Sequence, residues 1–254
     1  MKTEKYYKWF EEFTAGMMGT PDRLKSNYEL KIEHTYRVKD NIMNLGQAVG
    51  LTSYKLHICE LIGLFHDLGR FKQYTEFNSF SDSISGSHGD LSVKVLEENN
   101  VLVDLDIESQ NLVKKAIAYH NYFHVPENED KDIKELSYLI RDADKLDAFF
   151  LETLETETRS YSFDSLSDER DYSSLVVSDL QNGRQVDFKN FKYKYDRKLG
   201  ILGLIFDLKF DESFDLFLEN NYLQRMFKQL PQDETMKELE QYIMKYILSK
   251  SKAK

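Results

Sequence analysis

Four histidines and two aspartates, His34, His66, Asp67, His88, His120 and Asp144, are the residues of this chain whose types could do chemistry together. Neutral imidazole and carboxylate are donors that divalent metal ions take. A carboxylate beside such an ion can also accept a proton from water. His66 and Asp67 adjoin within LFHDLGRF (64–71), directly after the apolar run LIGLF. Burial there disfavours both side chains unless they find partners. Two ions a few ångströms apart could use both, with Asp67 as the bridge, because a carboxylate offers two oxygens and an imidazole does not bridge.

The other candidates need helices to aim them. In ELKIEHTYRVKDNIMNL (29–45), His34 shares a face with Arg37, Val38, Asn41 and Leu45 and should point inward. His88, in GSHGDLSVKVL, opens a helix, where the imidazolium form is disfavoured and the metal-binding neutral form favoured. His120 continues the stripe of Ala116 and Ile117. In KELSYLIRDADKLDAFFLETL (134–154) the stripe Leu136, Ile140, Ala143, Asp147, Phe150, Leu151, Leu154 should be buried, with Asp144 on or beside it. A carboxylate facing a core must be paired or metal-bound, so an ion pair with Arg141 or Lys145 is the competing reading of Asp144. Any one of the histidines, taken alone, reads as a hydrogen-bonded core residue. The remaining two look different. His57 lies nine residues before His66, on the opposite helix face, and reads as structural or solvated. His124 could form an HxxxH pair with His120, but Val125-Pro126 ends that segment, which leaves His124 on a rim.

Composition favours helices to carry these residues. Only 3 prolines and 11 glycines occur in 254 residues, and apolar positions recur at helical spacing. The pattern predicts an all-α chain with helices near 3–18, 29–49, 53–68, 88–99, 106–121, 132–157, 168–181, 197–208, 213–229 and 233–250. Thr52-Ser53 and Ser87 are start signals, and Gly69 reads as a stop. Segments 77–90 and 160–174 read as loops, the second a candidate flap, and QNGRQ (181–185) as a helix stop. No clean linker appears, so 1–254 is read as a single domain with a core at about 28–157 and a helical C-terminal extension over about 158–254. Net charge −10 argues against nucleic-acid binding through a general basic field. No run is long enough to span a membrane, and no signal-type leader opens the chain. Cys59 is the single cysteine and should be a buried thiol, which fits a cytoplasmic location.

The ordered set His34 … His66-Asp67 … His88 … His120 … Asp144, with the strings HTYRV, LFHDLGRF, GSHG, IAYHN and RDADKLD, resembles the HD-domain superfamily of metal-dependent phosphohydrolases over about 30–155. The resemblance implies an HD-domain-like helical bundle around one or two divalent ions (Mn, Fe, Co, Ni, Mg or Zn). One ion would be held by His34, His66, Asp67 and Asp144, and a second by Asp67, His88 and His120. It implies hydrolysis of a phosphoester, of a nucleotide or another small phosphorylated metabolite, by a metal-activated water. Asp67, Asp144 (or Asp147) and Arg70 would be catalytic, and Arg37, Arg70 and Lys145 would bind phosphate. Two departures stand out. Arg70 occupies a position where many members carry lysine, which keeps phosphate binding but not an easy proton donor. His120 is followed by Asn121 where a second histidine is usual. An HD-type diiron oxygenase and a nucleotide-sensing module without turnover are the alternatives. The aromatic, basic segment FKNFKYKYDRK (188–198) offers either a base-stacking surface or ordinary packing, and the C-terminal helices either a pocket cover or a homodimer face.

Overall fold

A computed structural model describes residues 3–18, 22–154, 166–167, 169 and 171–252. Among them there is no β-strand, only an isolated bridge between Ser167 and Tyr193. The helices are α1 (Glu4–Met18), α2 (Asp22–Ala48), α3 (Ser53–Phe65), α4 (Leu68–Phe77), α5 (Asp82–Ser85), α6 (His88–Glu98), α7 (Ile107–Tyr119), α8 (Lys131–Glu152), α9 (Ser174–Gln181), α10 (Lys194–Leu202), α11 (Asp211–Glu219), α12 (Tyr222–Phe227) and α13 (Glu234–Lys250). None is long and apolar enough to cross a membrane. The chain divides into two compact units, 1–144 and 145–254, so the boundary falls inside α8.

In the first unit α2 packs on α3, α3 on α7, α4 on α6, and α6 on α7. Local chemistry sets the starts. Thr52 accepts a hydrogen bond from the Lys55 amide, Ser87 from Asp90, and Asp106 from Ser109, each satisfying a free N–H at a helix N-terminus. The apolar run before His66 is buried throughout: Ile58, Cys59, Leu61, Ile62, Leu64 and Phe65 are fully enclosed. Burial pushes the Cys59 thiol up to about 12, so it behaves as a small apolar side chain.

The expected helix over 53–68 breaks earlier. It stops at Phe65, turns through His66 and Asp67, and resumes as α4. Asp67 sits at φ −107°, ψ 16°, the sparsely populated bridge between helix and strand conformations. Gly69 is therefore not a stop but part of the first turn of α4. Its role is close approach: a Cβ there would lie 2.2 Å from the His88 carbonyl oxygen and 2.8 Å from the Ser92 nitrogen. Its amide donates to Ser92 Oγ (2.8 Å), and that hydroxyl in turn bonds the carbonyls of His66 (2.6 Å) and His88 (2.9 Å). Gly89 does the same between α6 and α7, where a Cβ would meet the Ile117 carbonyl at 2.7 Å. Gly69→Ala is expected to cost about 1–3 kcal/mol or more by overpacking and to separate His66 from His88. Urea unfolding, followed by metal titration of the folded fraction, checks it; unchanged values in both would contradict this reading of the contact.

The second unit has its own core. Phe149 meets Phe217 edge to face at 4.8 Å, α9 packs on α10 and α13, and α11 packs on α12 and α13. The stripe expected on α8 holds through Leu136, Ile140, Ala143 and Asp147, which are buried, and departs only at its end, where Leu146 and Phe149 are buried and Phe150, Leu151 and Leu154 are partly covered. Asn221, at φ 52°, splits the expected 213–229 helix into α11 and α12. Gly183, at φ 65°, follows α9 and fits the helix stop read from QNGRQ. Within residues 188–198 Phe188 is exposed, while other members pack inward. Phe191 lies against Gly200, and buried Asp196 accepts from the Ser173, Lys192 and Tyr193 amides. The expected loop 160–174 and the end of the expected 132–157 helix fall largely outside the described residues.

Candidate metal centre

Five separate helix ends or faces bring the six residues together in the first unit. α2 supplies His34, the turn after α3 supplies His66 and Asp67, α6 opens with His88, α7 is capped by His120, and α8 supplies Asp144. His66 is wholly buried, Asp67 is 3% exposed, and His34, His88 and His120 are buried. The Asp144 side chain, at 39%, is the opening to solvent. The break at His66-Asp67 lets both side chains reach the same point, which adjacent residues about 100° apart on an unbroken helix could not do.

Two groups form, each with ligand atoms within 4.8 Å of one another: His34, His66 and Asp144, and Asp67, His88 and His120. Asp67 spans them. Its Oδ2 lies 3.3 Å from His34 Nε2 and 3.9 Å from His66 Nε2, and its Oδ1 lies 3.6 Å from His88 Nε2. His34 Nε2 is also 3.3 Å from Asp144 Oδ1.

The imidazole tautomers follow from their outer partners. His66 Nδ1 is 2.9 Å from the Gly63 carbonyl, and His120 Nδ1 is 2.6 Å from the Ile117 carbonyl. A carbonyl only accepts, so both Nδ1 atoms carry the proton and both Nε2 atoms are bare. His88 Nδ1 is 2.7 Å from Asp82 Oδ2, which likewise leaves its Nε2 bare. Bare His88 Nε2 and His120 Nε2 then face each other at 3.0 Å, and His66 Nε2 faces His34 Nε2 at 3.3 Å. The lone pairs of His88 and His120 are thus turned toward one another in a buried space. A cation removes that conflict, so the residues present fit divalent metal.

Electrostatics agree with the ligand states a metal requires. Burial lowers His66, and it lowers His88 and His120 to about 4, the Asp82 bond notwithstanding, so all three are neutral at pH 7. Burial alone would raise the Asp67 carboxyl, but Lys31, His66, His34 and Arg70 hold it well below the usual carboxylate range. The Asp144 carboxyl, desolvated by its neighbours although its side chain keeps an exposed edge, is likewise lowered, by His34 and His66. A consequence concerns the metal-free protein. The unfolded chain binds protons at His88 and His120 near pH 6.5, the folded chain only near 4. Between those values the unfolded state holds more protons, so stability is full above about pH 6.5 and falls as pH drops toward 4. The loss should be on the order of a few kcal/mol. Chemical denaturation of apo-protein from pH 7.5 to 4.5 checks it; a flat profile would contradict the buried, neutral histidines.

The cations expected to hold phosphate stand differently. Arg70 Nη1 donates to Asp82 Oδ1 (3.1 Å), Gln73 Oε1 (2.9 Å) and the Phe80 carbonyl, while its Nε lies 3.6 Å from Asp67 Oδ1. Arg37 is 3.7 Å from Glu33. Lys145 is ion-paired to Asp207 at 2.9 Å, and Asp147, the other expected water-orienting carboxylate, is 1% exposed. His57 is buried 3.8 Å from Glu60, and His124 is exposed; among the described residues neither joins a metal-type cluster. Two residues beside the site were missed from sequence. Lys31 Nζ is 2.8 Å from Asp67 Oδ2. It lies one turn before His34, and that i−3 spacing could have flagged it. Asp82 reaches His88 from the Ser-rich segment, where no periodicity pointed to it.

Residues 32–148 match the family model described as HD domain. No curated protein and no solved structure gave a significant match to the chain.

Proposed function

Taking residues 32–148 as the HD domain they match, we propose that this protein is a metal-dependent phosphohydrolase acting on a nucleotide or another small phosphorylated metabolite. The observation that carries the proposal is the pair of donor groups meeting at Asp67, with bare Nε2 atoms of buried histidines facing one another. His34, His66, Asp67 and Asp144 would hold one divalent ion, and Asp67, His88 and His120 a second. Bound there, such ions supply water activation near neutral pH and neutralise phosphoryl charge.

The chain's own groups do the rest. Asp144 is ionised and open to solvent, so it orients the attacking water and accepts its proton. Lys31 and Arg70 set positive charge on either side of Asp67, where phosphoryl oxygens would lie. Arg37, one turn beyond His34, would reach a more distal part of the substrate. Buried walls of α3, α4 and α7 keep bulk water from the His66 and His120 side. The leaving alkoxide or phosphate takes its proton from solvent, since arginine at position 70 holds its proton too tightly to donate it.

The test is phosphate release over nucleotides, cyclic dinucleotides and dinucleoside polyphosphates, with each divalent ion added in turn and oxygen uptake followed in parallel. Release with at least one ion, and none after chelation, is expected. Metal-loaded protein that consumes oxygen, or that binds nucleotides without cleaving any, would overturn it.

A further inference from the structure

Asp82 lies six residues before His88, in the one-turn helix α5 of a serine-rich segment. Its carboxylate collects donors from three other elements. Oδ2 accepts from His88 Nδ1 (2.7 Å) and from Asn121 Nδ2 (2.9 Å), the residue directly after His120. Oδ1 accepts from Arg70 Nη1 (3.1 Å) and Gln73 Nε2 (3.0 Å), both on α4. Gln73 is completely buried and also donates to Ser85 Oγ, so the segment is tied at both ends of α5. Asn121 Oδ1 accepts from Ser87 Oγ (3.1 Å), which holds the same segment against the end of α7.

A loop carboxylate of purely local use would cap its own turn. This one instead takes the outer nitrogen of His88, and that choice fixes which nitrogen of the ring is bare. It also links His88 to the arginine that borders Asp67 and to the residue beside His120. All three donors of the second group are thus referenced to one carboxylate: His88 directly, His120 through Asn121, and Asp67 through Arg70.

We propose that Asp82 is the positioning residue of the His88–His120–Asp67 half of the centre, setting the His88 tautomer and ring orientation for a second metal ion. The proposal rests on the metal reading of the site. It also gives Arg70 and Asn121 a structural duty beside the centre.

The test is titration of metal-free protein with Co²⁺, following heat and visible absorption, with far-UV circular dichroism to confirm folding. Wild type is expected to take two equivalents. Asp82→Ala should weaken the second about 10–100-fold, leaving the first unchanged. Asp82→Asn keeps the shape and an acceptor for the Nδ1 proton but not the charge, so it should restore part of that loss. Should the alanine variant fail to fold, the asparagine variant decides alone, with a weakening of about tenfold expected. Two equivalents bound at wild-type affinity by the folded variants would overturn the proposal, as would a wild-type protein with a single site. A wild-type protein that binds no ion would instead overturn the metal reading beneath it.

Discussion

Asp67→Asn is expected to abolish divalent-metal binding at both halves of the centre and to lower phosphohydrolase activity by at least about 10³-fold, equivalent to about 4 kcal/mol of transition-state stabilisation. The substitution is nearly isosteric, so packing barely changes. What changes is charge and donor capacity. One carboxylate oxygen faces His34 and His66 and the other faces His88, so a single side chain is common to both groups. An amide presents a single acceptor oxygen and turns N–H groups toward the other half. It also removes the negative partner of Lys31 at 2.8 Å. Apo-protein should lose some stability for that reason, since breaking one partner of a buried pair leaves the other uncompensated. Metal content by elemental analysis and turnover on the best substrate from the screen check the prediction together. Wild-type metal content in Asp67→Asn would contradict it.

His66→Ala should be as severe for activity, by a different route. The ring is entirely enclosed and its outer nitrogen is bonded to the Gly63 carbonyl. Removing it deletes a donor from the first group, opens a cavity and strands a buried carbonyl. Complete loss of phosphate release is expected, with a stability cost of about 2–4 kcal/mol by analogy with other buried large-to-small changes. His66→Gln retains more of the volume and separates the two effects: its stability should recover while activity stays absent. Retained activity in either variant would refute His66 as a ligand.

The helices were legible in the sequence because most carry both a periodic apolar stripe and a capping residue. Thr52, Ser87 and Asn182-Gly183 mark ends that the structure places within a residue or two. His34, His120 and Asp144 stood out because each lies on or beside such a stripe, and His66-Asp67 because they follow an apolar run, where an uncompensated polar group is costly, while His88 stood out by opening a helix. The break after Phe65 was not. LIGLFHDLGRF stays apolar on both sides of His66-Asp67, and the turn is imposed by α4 closing on α6 through Gly69, a tertiary contact that spacing does not encode. Asn220-Asn221 offered a local clue to the division of α11 from α12, since asparagine tolerates the left-handed conformation, but the apolar pattern runs across it. Lys145 illustrates the converse. The resemblance implied phosphate binding for Lys145, and an ion pair with Asp144 was the competing reading, yet successive helical residues diverge by about 100°, and Lys145 pairs with Asp207 while Asp144 faces His34. Lys31 drew no reading from the sequence, and Asp82 lies in the segment 77–90 read as a loop. Only the packed helices reveal that both reach the ligands.

The most direct measurement of the central claim is equilibrium dialysis of purified, chelator-stripped protein against Mn²⁺, Fe²⁺, Co²⁺, Ni²⁺, Mg²⁺ and Zn²⁺, with bound metal counted per chain. The account predicts up to two equivalents of at least one of these ions in the wild type, and none retained in Asp67→Asn. A wild-type protein that binds no divalent ion, or an Asp67→Asn variant that binds as many as wild type, would contradict it.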